Sequence, residues 1–389
     1  MREADLSLFS DEALTQGWNI AAIYNQTIRA AVARADSRIA AGETPSIIPK
    51  IGFLIHRRAS AMHFLSTWGH LPRDSFDVVL SEDGYEPDLF EYLASLELSV
   101  TFCEDMVNTL SQYAVGISHS DLSPLCKPTG YSLIRDLTRL LSYGFSKNRR
   151  GPFNDATALF LTQGDEQADQ YRADYPDTPH LMVGYARLDG LARCEADKAA
   201  IKTKYRLDLN RPVVVWMPTH SGPLTGAITL YARQICALAR HVNILLKPHP
   251  ESFHEQPDCH YLRALVEEGS VRVVRDPDDE AEMFAVADLV LTDLGGTLFG
   301  AIHAGKDVVV TDVGRADEMS PLEAELWPHT PMLTPDTIGT LAGLLADPSA
   351  FTAQRAAMAQ ARARLFAAGT DGQGGRLIAA ELSRRLHAS

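Results

Sequence analysis

Short apolar runs alternate with segments of helical spacing along nearly the whole chain, and this alternation limits the fold more than any other property of the sequence. In the first half Ile51–Ile55, Phe76–Leu80, Leu98–Phe102, Ala114–Ile117, Ala158–Leu161 and Leu181–Val183 read as strands. In the second half Val213–Met217, Val242–Leu246, Val271–Val274, Leu289–Leu291 and Val308–Thr311 do so. Helical spacing marks residues 18–41, Ala227–Arg240 and Ala281–Ala287. Strands that take turns with helices predict parallel sheets with helices packed on them. Two successive sets predict an α/β protein of two Rossmann-like, doubly wound domains facing across a cleft. A length of 389 residues agrees, being too great for one ordinary core. The N-terminal, acceptor-side domain is expected over 1–195, a nucleotide-donor domain over 196–365 and a C-terminal helix over 366–389. The hinge falls near 186–211, where the charged segment Glu195–Tyr205 leads to Asn210-Arg211-Pro212 and a fresh strand. The Ala- and Arg-rich tail, 349–387, carries no strand signal and reads as one or two helices.

A net charge of −14 argues against binding nucleic acid or an anionic membrane through charge alone, while leaving room for a small basic pocket. The five cysteines (Cys103, Cys126, Cys194, Cys236 and Cys259) show no CxxC pair and no metal-ligand spacing. They read as reduced thiols of a cytoplasmic protein, and no metal site is expected. The N-terminus, Met1-Arg2-Glu3-Ala4-Asp5, lacks the apolar stretch of a signal peptide, and no run approaches the roughly 18–20 residues that span a bilayer. Peripheral contact with a membrane stays open.

The chemistry-bearing residues gather where predicted strands end. Val242–Leu246 runs into Lys247-Pro248-His249-Pro250, whose prolines fix φ and remove backbone donors, so the chain leaves the sheet there. Open α/β sheets place their ligand crevice at such carboxyl ends. Lys247 and His249 on a stiff turn suit a phosphate-bearing ligand; the same turn also fits a histidine that caps a helix. Leu289–Leu291 leads through Thr292 and Asp293 to Gly295, Gly296 and Thr297 before a helix, where glycines admit close backbone approach and a helix N-terminus attracts an anion. A plain βα turn fits these glycines too, and neither GK[ST] nor GxGxxG is present. Val213–Met217 stops at Pro218 and presents Thr219, His220 and Ser221, suited to phosphate, ribose or a helix cap. Leu181–Val183 opens onto Gly184-Tyr185-Ala186-Arg187, and Arg187 suits either a bidentate phosphate contact or an ion pair with Asp189. His119, in Ser118-His119-Ser120, sits on a loop toward the presumed cleft, where an imidazole can take a proton from a hydroxyl. His56, at the end of the first strand, is placed alike, whereas His63, His70, His180 and His241 carry no accompanying pattern.

In this order the pieces resemble the CDP-glycerol glycerophosphotransferases, the teichoic-acid polymerase type of enzyme. The resemblance rests on Gly184-Tyr185-Ala186-Arg187, Pro218-Thr219, Lys247-Pro248-His249-Pro250 and Thr292-Asp293-Leu294-Gly295-Gly296-Thr297, and it covers roughly 155–315. Ser118-His119-Ser120 resembles the family's histidine-glycine motif. Alanine stands at 186 where the family has proline, and Gly295-Gly296-Thr297 replaces its serines. The glycine version is similar to the turn of UDP-N-acetylglucosamine 2-epimerases and some GT-B glycosyltransferases. The resemblance implies a GT-B-like fold, no cofactor, a CDP-linked donor as substrate and a glycan or polyol-phosphate acceptor. His249 and Arg187 would meet the pyrophosphate, with Thr219, His220, Lys247, Thr292, Asp293 and the amides of Gly295–Thr297 around the donor. His119 would act as base on the acceptor hydroxyl. A nucleotide-sugar glycosyltransferase or UDP-sugar 2-epimerase, and a nucleotide-binding regulator without turnover, are the alternatives.

Overall fold

The computed structural model describes residues 48–55, 58–80, 87–102, 113–118, 132–136, 157–220, 226–253, 257–275, 280–293, 295–315, 319 and 321–388. These form two compact units. One comprises described residues up to Asp189 together with Leu365 onward, and the other is Gly190–Arg364.

The N-terminal unit carries β1 (Ile48–Ile55), β2 (Phe76–Leu80), β3 (Val100–Phe102), β4 (Tyr113–Ser118), β5 (Ser132–Asp136), β6 (Leu159–Thr162) and β7 (His180–Met182). All pair in parallel, in the order β3-β2-β1-β4-β5-β6-β7. Strands covered on both faces read as continuous apolar runs, and β2 and β6 are buried throughout. Buried Asp77, the polar residue of β2, accepts hydrogen bonds from Lys50 Nζ at 2.9 Å and Tyr113 Oη at 3.1 Å. Phe53 packs edge-on against Phe64, Trp68 and Phe76 at centroid distances of 5.1, 5.8 and 5.4 Å, forming the aromatic centre of one face.

The second unit carries β8 (Val213–Trp216), β9 (Asn243–Leu246), β10 (Arg272–Val273), β11 (Leu289–Thr292), β12 (Val308–Thr311) and β13 (Met332–Leu333), parallel in the order β10-β9-β8-β11-β12-β13. Helices Ala227–Leu238 and Asp258–Glu268 bury Ile228, Tyr231, Ile235, Leu262 and Leu265 against Val214, Trp216, Ile244, Leu246 and Leu291. Tyr231 Oη lies within hydrogen-bond distance of the carbonyls of Asp312 (2.6 Å) and Leu333 (2.8 Å), which share its one hydrogen, fastening the ends of β12 and β13 to the first of these helices. Gln354, fully buried, uses its amide to bond both the N–H and the C=O of Val308 at 3.0 and 2.7 Å, where β13 is too short to do so.

Every strand expected from the sequence is present; β1 begins three residues earlier than expected, the other ends agree within two residues, and β5 and β13 are additional. The tail forms two helices, Thr352–Leu365 and Gly374–Ala388. The structure divides the chain at 189/190 and 364/365, and helix Gly374–Ala388 belongs to the N-terminal unit rather than standing apart. Its first turn shows why. Gly374 lies so close to Val183 O and the Ala186 backbone, and Gly375 to Ser66, that a Cβ at either would come within 2.9 Å of them. Helix 18–41, His56 and His119 lie outside the described residues.

His180 opens the edge strand β7 with its ring 5.3 Å from that of Phe160. Burial, with the Arg172 charge second, pushes its pKa down to about 4. The unfolded chain, titrating near 6.5, therefore binds this proton first, so stability must fall as pH drops from about 6.5 toward 4. In His180→Phe, urea midpoints measured over that interval will decline less steeply than in the wild type. Equal slopes would contradict the assignment.

Candidate functional site

Strand order reverses between β8 and β11, and the loops following these two strands carry most of the residues singled out in the second unit. Asp293, just past β11 and 2% exposed, accepts the Thr219 N–H at Oδ1 (2.8 Å) and the Thr219 hydroxyl at Oδ2 (2.9 Å). Thr292 Oγ1 donates to Met217 O at 3.0 Å, and Thr297 Oγ1 reaches the same carbonyl at 3.4 Å. Four side chains of the two motifs thus clasp the switch point shut from below. Thr219 and Asp293 serve this clasp, with both carboxylate oxygens accepting from the loop beyond β8.

The next strand end is as firmly built. Lys247 N bonds Trp216 O at 2.9 Å, and Ser252 N bonds His249 O at 2.9 Å. Ser252 Oγ donates to buried Asp258 at 2.8 Å, which fixes the turn Pro250–Phe253 to the start of the following helix. His249 Nδ1 accepts the Glu251 N–H at 3.2 Å. The His220 and His249 rings meet with centroids 4.7 Å apart, a pairing the sequence spacing did not show. Lys247 Nζ lies 3.8 Å from Glu280, a carboxylate just before helix Ala281–Val286 that no motif had marked.

The glycine turn differs from expectation. Gly295, at φ +92°, donates its N–H to Glu323 Oε1 at 2.6 Å, and Glu323 is 3% exposed. A buried carboxylate therefore holds the first amide of the turn that was expected to face a phosphate. Glu323 comes from helix Pro321–Leu326, 28 residues away, and no local signal in the sequence could have found it.

Arg187 belongs to the N-terminal unit, in the short 3-10 turn Ala186–Leu188. Its Nη1 lies 3.0 Å from Nε2 of buried His63, one of the histidines that carry no accompanying pattern in the sequence. Asp189 does not take Arg187 as its ion partner here. It accepts from Ser66 Oγ (2.7 Å), Gly375 N (2.7 Å) and Gly374 N (3.1 Å), joining the Arg187 loop to the last helix. Burial raises the Asp189 pKa despite these donors. Gly184 needs its glycine twice over, with φ at +72° and the Thr370 hydroxyl occupying the space of a Cβ.

Among the described residues no group of three or more His, Cys, Asp and Glu side chains is placed to hold a metal ion, and no helix is long and apolar enough to cross a membrane. Cys194, Cys236 and Cys259 are free thiols.

Two doubly wound parallel units, with charged and hydroxyl-bearing turns at the carboxyl ends of the strands, define a GT-B-like α/β protein. Solved structures agree on the fold. A wall teichoic acid polymerase, TagF, in a variant soaked with CDPG, is 12% identical with a TM-score of 0.64, covering 99% of each chain. The S. aureus MnaA–UDP structure is 13% identical with a TM-score of 0.60, covering 88% of this chain and 98% of that one. The UDP-GlcNAc 2-epimerase of Neisseria meningitidis, bound to UDP-GlcNAc, is 12% identical at 0.55, covering 86% and 100%. Residues 165–300 match the model of the CDP-glycerol:poly(glycerophosphate) glycerophosphotransferase family, and the resemblance read from the motifs is thereby shown for the segment that carries all of them but His119. No curated protein matches the chain by sequence.

Asp293→Ala would leave the Thr219 amide and hydroxyl without their acceptor in a buried setting. We expect a loss of about 2–3 kcal/mol in unfolding free energy, read from urea denaturation; a change below about 0.5 kcal/mol would show that the clasp is not structural.

Proposed function

We propose that the protein is a transferase that moves a glycerophosphate-type group from a CDP-linked donor to an acceptor hydroxyl and releases CMP. The observation that carries this reading is positional. Within the family-matched segment, the Pro218-Thr219, Lys247–Pro250 and Thr292–Thr297 motifs stand at the ends of three neighbouring strands, β8, β9 and β11, beside the switch point. A diphosphate seated there would meet His249 and Lys247, with Gly296 and Thr297 opening the helix Thr297–Ala304 behind it. The clasp through Asp293 would keep these turns in register.

In the reaction the acceptor oxygen forms a bond to the β-phosphorus, the bond from that phosphorus to the bridging oxygen breaks, and CMP leaves with the electron pair. The acceptor proton passes to His119. Such a transfer depends on placement and charge stabilisation rather than covalent help. No cofactor enters this scheme, and a glycan or polyol-phosphate acceptor would take the group.

A second reading, a UDP-sugar enzyme, is favoured by one observation: a glycine turn whose first amide is already bonded to Glu323 stands where the family has serines. The test is CMP release from CDP-glycerol, beside hydrolysis or epimerisation of UDP-N-acetylglucosamine. CMP release with a polyol-phosphate acceptor supports the transferase, and turnover of the UDP-sugar alone would replace it. His119→Ala should lower turnover by about 10²–10⁴-fold with donor affinity nearly unchanged, whereas His249→Ala should weaken both. Intact turnover in His119→Ala would remove that residue from the role of base.

A further inference from the structure

The contact between His220 and His249 carries an inference about charge, one that rests on the diphosphate site proposed above. The rings arrive from different strand ends, beyond β8 and beyond β9, and meet 4.7 Å apart at a tilt of 36°. His249 Nδ1 accepts an amide hydrogen from Glu251, a role open to a ring nitrogen that carries no proton. Charging His249 would put a proton on the nitrogen that now accepts. Charging both rings at this separation would set two cations side by side.

The charged groups on the elements around the pair supply little positive potential. Lys247 faces Glu280 at 3.8 Å, and Glu280 is 7% exposed. Asp293 holds Thr219, the neighbour of His220, and Glu323 holds Gly295. Glu251 follows His249 by two residues, and Asp258 bonds Ser252 of the same turn. Arg275 is drawn over the Phe253 ring, 5.5 Å from its centroid. Among the described residues named here the carboxylates outnumber the cations. A nucleoside diphosphate, with at least two negative charges near neutral pH, would need positive charge that these side chains do not bring.

We propose that His220 and His249 act as a proton-sharing pair, and that binding of the donor diphosphate drives uptake of a proton by the pair. His220 is then a positioning and charge-tuning residue: its ring holds His249 and helps carry the proton that the phosphate requires. Donor affinity becomes dependent on pH, falling as the solution becomes too basic to supply the proton.

Isothermal titration with CDP as probe, in HEPES and in Tris at pH 7.5, reads proton uptake directly from the difference in binding enthalpy between buffers. We expect uptake of between about half and one proton in the wild type, with affinity dropping by up to about tenfold per pH unit above neutrality. His220→Phe keeps a ring against His249 and removes its titratable group; uptake should fall by at least half, and the pH dependence of affinity should flatten. Binding of CDP by the wild type with no buffer dependence, or unchanged uptake in His220→Phe, would overturn the pair while leaving the donor site standing. The wild-type experiment decides the matter even should the variant not fold. UDP as a second probe separates the two readings: UDP binding with proton uptake, and no CDP binding, would retain the pair and remove the cytidine donor. Binding of neither would remove both.

Discussion

The carboxyl ends of β8 and β11 are joined by one buried carboxylate meeting one threonine. Asp293 receives the backbone and the hydroxyl of Thr219 at 2.8 and 2.9 Å, and both residues sit just beyond strands that are neighbours in the sheet. A charge buried this far is stable only when donors surround it. Here the donors come from the loop that must be held. The clasp fixes where β8 releases the chain, which sets His220, and through the ring contact it bears on His249. A clasp of this kind suits a site whose task is placement of a reacting group.

Charge at this edge is balanced rather than simply positive. A phosphate-binding turn is usually imagined as a set of open amides and basic side chains. In this protein Glu280 stands beside Lys247, and Glu323 takes the amide of Gly295. In the proposed function, donor recognition would draw on Lys247, on neutral donors, on protons acquired by histidines, and on the second amide of the glycine turn. The overall charge of −14 points the same way, since the molecule as a whole offers no long-range attraction to a diphosphate.

The sequence conveyed the fold well because parallel strands buried on both faces must be continuously apolar, as Val213–Trp216 and Val308–Thr311 are. The two strands that escaped notice lack that property. Ser132–Asp136 has only Leu133 and Ile134 between polar residues, and Met332–Leu333 is two residues long at a sheet edge. The site was legible where proline and glycine punctuate strand ends, at Pro218, Pro248 and Gly295. It was not legible where partners come from afar: Glu323 on Gly295, Glu280 on Lys247, His63 beside Arg187, and the last helix on Asp189. Each of these depends on packing between elements, which no local spacing encodes. The helix Gly374–Ala388 also ends a long way in sequence from the unit it completes, so composition alone assigned it to no domain.

Diffraction from crystals soaked with CDP measures directly where a diphosphate sits. The proposed placement requires phosphate density at the carboxyl ends of β8, β9 and β11, within hydrogen-bond reach of His249 and of the turn at Gly296 and Thr297. Phosphates bound elsewhere on the molecule, with this edge unchanged and empty at saturating CDP, would contradict it.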